Sequence, residues 1–165
     1  MDEVTKKQNN EDQDSEEQGS EQRKGALEKD PMLNLIVNLA ETVGVEFPIT
    51  LFVNGSTITG VVINYKTYLR EIIGAMREGR EGSNELGRVF IDTFTGAMEK
   101  RAEEIPDLLS EEDEEEKHPP RRFIHLRNAR VIAGSNFFPT QGRGLIWRGR
   151  ISSVDGFSFG TLSGT

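Results

Sequence analysis

The sequence predicts an α+β domain: about five antiparallel strands in a curved sheet or small partial barrel, with two to three flanking helices and a disordered acidic N-terminal tail. Three observations predict it. Apolar residues recur at helical spacing just after residue 30 and again between residues 65 and 98. Runs rich in Val, Ile, Thr and Phe fill residues 47–63 and 123–162, with Asn-Gly and Asp-Gly dipeptides at intended turns. Hydrophobic residues make up only 35% of the 165, so a polar part of the chain must stand apart from the core.

Residues 1–29 are rich in Glu, Gln, Asn, Ser and Lys, and cannot bury enough surface to offset ordering the backbone. Asp30 can cap a helix that Pro31 begins, and Met32, Leu35, Ile36, Leu39 and Val43 follow at helical spacing before Gly44. A helix over 31–43 is expected. Phe47–Val53 and Ser56–Ile63 read as two strands joined by Asn54-Gly55, a dipeptide that accepts positive φ. Pro48 suggests that the first strand begins at a sheet edge. Tyr65–Gly79 carries Tyr68, Leu69, Ile72, Ile73 and Met76 on one helical face. Ser83 can cap a further helix whose apolar stripe is Leu86, Val89, Phe90, Phe94, Ala97 and Met98. Gly87 and Gly96 weaken that helix by about 1 kcal/mol each relative to Ala.

An acidic linker spans 103–120. Each half has too few strands for a stable sheet alone, so 30–165 is expected to fold as a single domain. Phe123–Ile132 reads as a strand that is irregular near Asn128, and Asn136–Gly144 as a loop. Leu145–Val154 is expected as a strand with Leu145, Trp147, Gly149 and Ile151 on one face and Ile146, Arg148 and Arg150 on the other. Asp155-Gly156 is a second hairpin signal, and Phe157–Leu162 closes the sheet.

Composition excludes several functions. There are no cysteines, hence no disulfides, thiol catalysis or thiolate zinc site. No apolar run approaches the roughly 18 residues that span a bilayer, and the polar, acidic start is unlike a signal peptide. A cytoplasmic protein without a membrane partner is expected. The net charge of −8 is unevenly spread: residues 121–165 hold seven arginines and one aspartate, whereas 99–117 hold ten acidic and three basic side chains. The acidic segments argue against nucleic acid as the partner, because phosphate neutralisation drives that binding.

The candidate sites are surfaces. His118 lies in the linker, and His125 lacks a converging nucleophile and orienting acid. Glu111–Glu116 lacks the glycine and ligand spacing of a calcium loop, and Gly142-Arg143-Gly144 lacks the P-loop lysine. The chain is therefore expected to have no enzymatic activity and no cofactor or metal. Arg127, Arg130, Arg143, Arg148 and Arg150 form either a solubilising sheet face or a protein-contact surface; arginine forks onto carboxylates and stacks on aromatic rings. Phe137 and Phe138 are either a loop anchor or, in part, an exposed apolar contact, since adjacent residues of a regular strand face opposite ways.

The run Phe123-Ile124-His125-Leu126-Arg127-Asn128-Ala129 resembles the gas vesicle accessory protein U family. So does Ile146-Trp147-Arg148-Gly149-Arg150-Ile151, followed by Val154-Asp155-Gly156-Phe157 and Gly160. The Ile49–Gly60 hairpin and the helix before it are similar as well, so the resemblance covers roughly residues 30–78 and 121–163. It implies a role in gas vesicle assembly or clustering through self-association and contact with the vesicle shell protein, so a homo-oligomer or higher assembly is expected. A fainter likeness to Sm-like barrels, with residues 65–120 as an insertion, implies instead an RNA-binding oligomer.

Overall fold

In this computed structural model, residues 30–105 and 121–162 are described. The expected acidic tail and residues 106–120 of the expected linker lie outside them.

Helix α1, Pro31–Val43, has the expected bounds, and Gly44 follows it with φ of 72°. Its N–H bonds back to the Ala40 carbonyl, satisfying a group the helix end would leave bare. The buried face is Leu33, Ile36, Val37 and Ala40. Of the expected stripe only Ile36 is fully buried, while Met32, Leu35 and Val43 are exposed. Apolar residues surround this helix, so periodicity alone offered two registers.

Strands β1 (Phe47–Val53) and β2 (Ser56–Ile63) pair antiparallel around Asn54-Gly55, both at positive φ. Strand β3 (Phe123–Ala133) pairs with β2, so the chain segments on either side of the acidic linker share one sheet. Gly60 faces the two residues Asn128 and Ala129 across the β2–β3 register shift, and Asn128 has φ of 51°. This bulge is the irregularity expected near Asn128.

Three strand assignments need correction. Asn136–Phe138 is a short strand, β4, paired with the end of β3, where a loop was expected. The Leu145–Val154 strand is instead β5 (Leu145–Arg150), a single 3-10 turn at Ile151–Ser153, and then β6 (Val154–Phe159). Asp155-Gly156 makes no hairpin; it lies inside β6, which pairs with β1. There Phe52 faces Gly156 and Val53 faces Val154, which leaves Asp155 as the extra residue of a bulge. Its carboxylate accepts the Asn54 N–H at 2.7 Å and so closes the neighbouring turn. The Asp-Gly signal is thus spent on a long-range cap.

The strand order is β4-β3-β2-β1-β6, with β5 beside the other half of β3's free edge. The sheet is antiparallel and not closed, with β6 at one edge and β4 and β5 at the other. Pro48 is therefore in an inner strand, not at a sheet edge. It is tolerated because β1's pairing with β6 ends at Ile49–Phe159, and the Pro48 carbonyl takes the Gly160 N–H at 2.8 Å just beyond.

One sheet face meets α1. Ile49, Leu51, Ile58, Val62, Ile124, Leu126 and Ala129 form the core with Leu33, Ile36, Val37, Ala40 and Ile151. Trp147 and Phe157 pack against it, partly buried. Each fully buried Leu or Ile contributes roughly 1.5–3 kcal/mol. On the opposite face Thr50 and Thr59 are buried, and the C-terminal segment is bound over them.

Helices α2 (Tyr65–Arg80) and α3 (Glu85–Glu103) form a hairpin between β2 and the acidic linker. Asn64 caps α2 by accepting the Thr67 N–H at 2.7 Å, and Asn84, not Ser83, caps α3 by accepting the Gly87 N–H at 2.8 Å. Arg80 grips Asp92 with two bonds of 2.8 and 2.9 Å, and Arg77 reaches Glu99 at 2.7 Å. The Arg80 hydrogen bond holds the Asp92 carboxyl below the usual aspartate range. The expected stripe of α3 does not enter a core: Leu86, Val89, Phe90 and Phe94 are exposed, and the buried residues are Thr95 and Ala102.

Candidate functional site

The β2–β3 and β3–β5 registers decide where the arginines stand. Val61 faces Arg127, Thr59 faces Arg130, His125 faces Arg148, and Phe123 faces Arg150. These four arginines therefore share the sheet face opposite the α1 core. They do not form one free basic plate. Arg127 is ion-paired with Glu46, 81 positions earlier in the chain. Arg130 donates to the Gly142 carbonyl at 3.1 Å and ties β3 to the loop before β5. The Arg148 guanidinium lies 3.9 Å from the Phe123 ring centroid, a cation–π contact. Arg150 is exposed, and Arg143 approaches Glu71 only at 4.0 Å with its side chain 79% exposed.

The two phenylalanines separate as adjacent strand residues must. Phe137 is partly buried opposite Ile132, while Phe138 is 66% exposed opposite Val131. Arg143, Arg150 and Phe138 are thus the candidate residues that most freely present a surface, whereas Arg127, Arg130 and Arg148 also hold the fold together. A shallow open cleft between α2 and the β3 bulge is lined by Arg70, Glu71, Glu78, Asn128 and Arg143, and its mixed charges favour neither sign of ligand.

A second cluster surrounds His125 and was missed in the sequence. The ring is buried, with centroids 4.5 Å from Tyr68 and 5.3 Å from Tyr65. Its Nδ1 lies 3.6 Å from Glu41 Oε1, and the Glu41 carboxylate accepts the Tyr65 N–H at 3.1 Å. Neither ring nitrogen has a hydrogen-bond partner. Burial raises the Tyr68 phenol above its ordinary value, Arg148 lowers it in part, and Tyr65 raises it. The four residues come from α1, the start of α2, and β3, so no local spacing announces them. Among the described residues no group of three or more acidic or histidine side chains is placed to hold a metal ion, and no helix is long and apolar enough to cross a membrane.

An open antiparallel sheet, backed by one helix and carrying a helical hairpin with exposed aromatics, defines a small α+β domain whose distinctive features lie on its surface. The chain matches the family described as Gas vesicle protein GvpU-like over residues 30–162, and it belongs to that family. No curated protein and no solved structure gives a match.

Proposed function

We propose that this chain is a non-catalytic cytoplasmic accessory protein that modulates gas vesicle assembly or clustering, through self-association and contact with the vesicle shell protein. The observation that carries this reading is the family match, which spans most of the chain and includes every described strand. The surface is compatible with it. Arg143, Arg150 and Phe138 offer two charges that can fork onto carboxylates and one apolar ring. Each such exposed contact contributes at most about 1 kcal/mol, so firm attachment needs many copies acting together on a repeating surface.

The RNA-binding alternative has less support. Three of the arginines that would meet phosphate are engaged by Glu46, the Gly142 carbonyl and Phe123, and the whole chain carries −8.

In cells that make vesicles, withdrawing this chain is expected to shift the size distribution of vesicle clusters, imaged by electron microscopy, and resupplying it to restore the distribution. A distribution that ignores the chain would remove the clustering role.

A further inference from the structure

Strand β6 is the last strand on one side of the sheet. The Gly160 N–H bonds to the Pro48 carbonyl, so the pair it flanks, Ile49–Phe159, is a non-hydrogen-bonded pair of the β1–β6 ladder. Phe159, and Phe157 two residues before it, therefore turn their N–H and C=O groups away from β1. Among the described residues these groups meet only a 3.4 Å contact, from the Ser158 hydroxyl to the Phe159 carbonyl. An unpaired row of this kind is a template for another strand.

The other outer strands are guarded. Strand β4 has three residues and runs into Pro139, which has no N–H. In β5 the Ile151 N–H bonds to the Arg122 carbonyl, so Phe123–Arg150 is likewise non-hydrogen-bonded, and Arg148 and Arg150 carry the outward groups. A second β5 laid on that edge would set guanidinium beside guanidinium. At β6 the outward positions are two phenylalanines. Its one charged residue, Asp155, sits in the bulge with its carboxylate turned to the Asn54 N–H. Phe159 is 60% exposed and meets Phe157 edge to face, with centroids 5.7 Å apart.

We infer that the free edge of β6 is the dimer interface of this protein, and that its occupant is β6 of a second copy, paired antiparallel about a two-fold axis at Ser158. The ladder selects the occupant. Residues that bond across an antiparallel seam share one sheet face. The outward groups of β6 belong to the core-side residues Phe157 and Phe159, so a second β6 matches them by symmetry. A β5 would lay Arg148 and Arg150 against those rings instead. With the axis at Ser158, Phe157 of each copy meets Phe159 of the other in a hydrogen-bonded pair, and Gly156 meets Gly160. The two Ser158 residues face each other in the close, non-hydrogen-bonded pair, where small side chains fit. Both Asp155 bulges stay outside the seam. The exposed Phe159 then packs on Phe157 of the second copy, and two sheets become one. This gives a surface to the self-association in the proposed function and rests on that part of the reading alone.

The test uses the full chain without vesicles, so its failure leaves contact with the shell untouched. By sedimentation equilibrium the natural chain is expected to be dimeric at roughly 0.1 mM. Phe159→Lys, with an unchanged circular dichroism spectrum, is expected to weaken association at least about tenfold, because it puts a charge on the edge. The chain has no cysteine, so Ser158→Cys reports on the axis directly. Facing residues of a non-hydrogen-bonded pair have Cα atoms about 4.5 Å apart, within disulfide reach. Under oxidised glutathione Ser158→Cys is expected to form a covalent dimer at least about tenfold faster than Ser152→Cys, whose thiol would stand exposed on the 3-10 turn. A natural chain that stays monomeric overturns the inference, as does a folded Phe159→Lys chain that dimerises as tightly. Equal rates of cross-linking for the two cysteine variants overturn the pairing about Ser158.

Discussion

Gly149→Ala is expected to lower the unfolding free energy by about 3 kcal/mol, toward the upper end of what overpacking a filled site costs. Gly149 lies in β5 opposite Ile124, and the Trp147 ring folds back over it. A Cβ there would fall 2.0 Å from Trp147 Cη2 and 2.6 Å from Cζ2, far inside contact distance. The ring must leave, and it packs against the core. Gly144→Ala is expected to cost at least as much for a harder reason: its Cβ would lie 2.3 Å from the Asn128 carbonyl carbon, which is backbone in the β3 bulge and cannot rotate away. Urea unfolding followed by tryptophan fluorescence measures both. Midpoints equal to that of the natural protein would contradict this packing of β5 on β3.

Thr59→Val is expected to cost about 1–3 kcal/mol, the range for stranding buried polar groups, although the two side chains have nearly the same volume. The Thr50 hydroxyl lies 2.9 Å from the Gly160 carbonyl and 3.1 Å from the Thr59 hydroxyl. If its one proton goes to the carbonyl, the Thr59 proton is left for the Thr50 oxygen. The Thr59 oxygen also accepts the Leu162 N–H at 2.9 Å. Valine removes both services and leaves the Leu162 N–H without an acceptor. Amide exchange at Leu162 should therefore accelerate along with the fall in stability. Unchanged exchange there would show that the C-terminal segment is held by something other than the two threonines.

Several elements were legible in the sequence because their signals are local. The proline and glycine bounding α1, the Asn54-Gly55 turn, and the alternation in β1 and β2 lie within a few residues of what they determine. The order of motifs from Phe123 to Gly160 likewise pointed to the family later found over residues 30–162. The failures share a physical cause. Asp155-Gly156 reads as a turn locally, but the β1 pairing uses Gly156 in a ladder and Asp155 as a cap on a distant N–H. Periodicity placed Leu86, Val89 and Phe90 on one helical face, but it says nothing of what that face meets, and here it meets solvent. Arg127 looked available because Glu46, its partner, lies in a different part of the chain. The His125 cluster was hidden for the same reason, since Glu41, Tyr65 and Tyr68 reach it only through the packing of α1 and α2 at the ends of the strands.

The most direct test of the vesicle role is flotation. Purified chain is mixed with purified, intact gas vesicles at about 0.15 M salt, where charges more than roughly 8 Å apart are screened. The vesicles are then allowed to rise. The chain is expected to concentrate in the floating layer, and the Arg143→Glu, Arg150→Glu double variant, with an unchanged circular dichroism spectrum, to lose at least most of that enrichment. A natural chain that remains wholly in the liquid below, at a concentration where the vesicles present ample shell surface, would contradict the account.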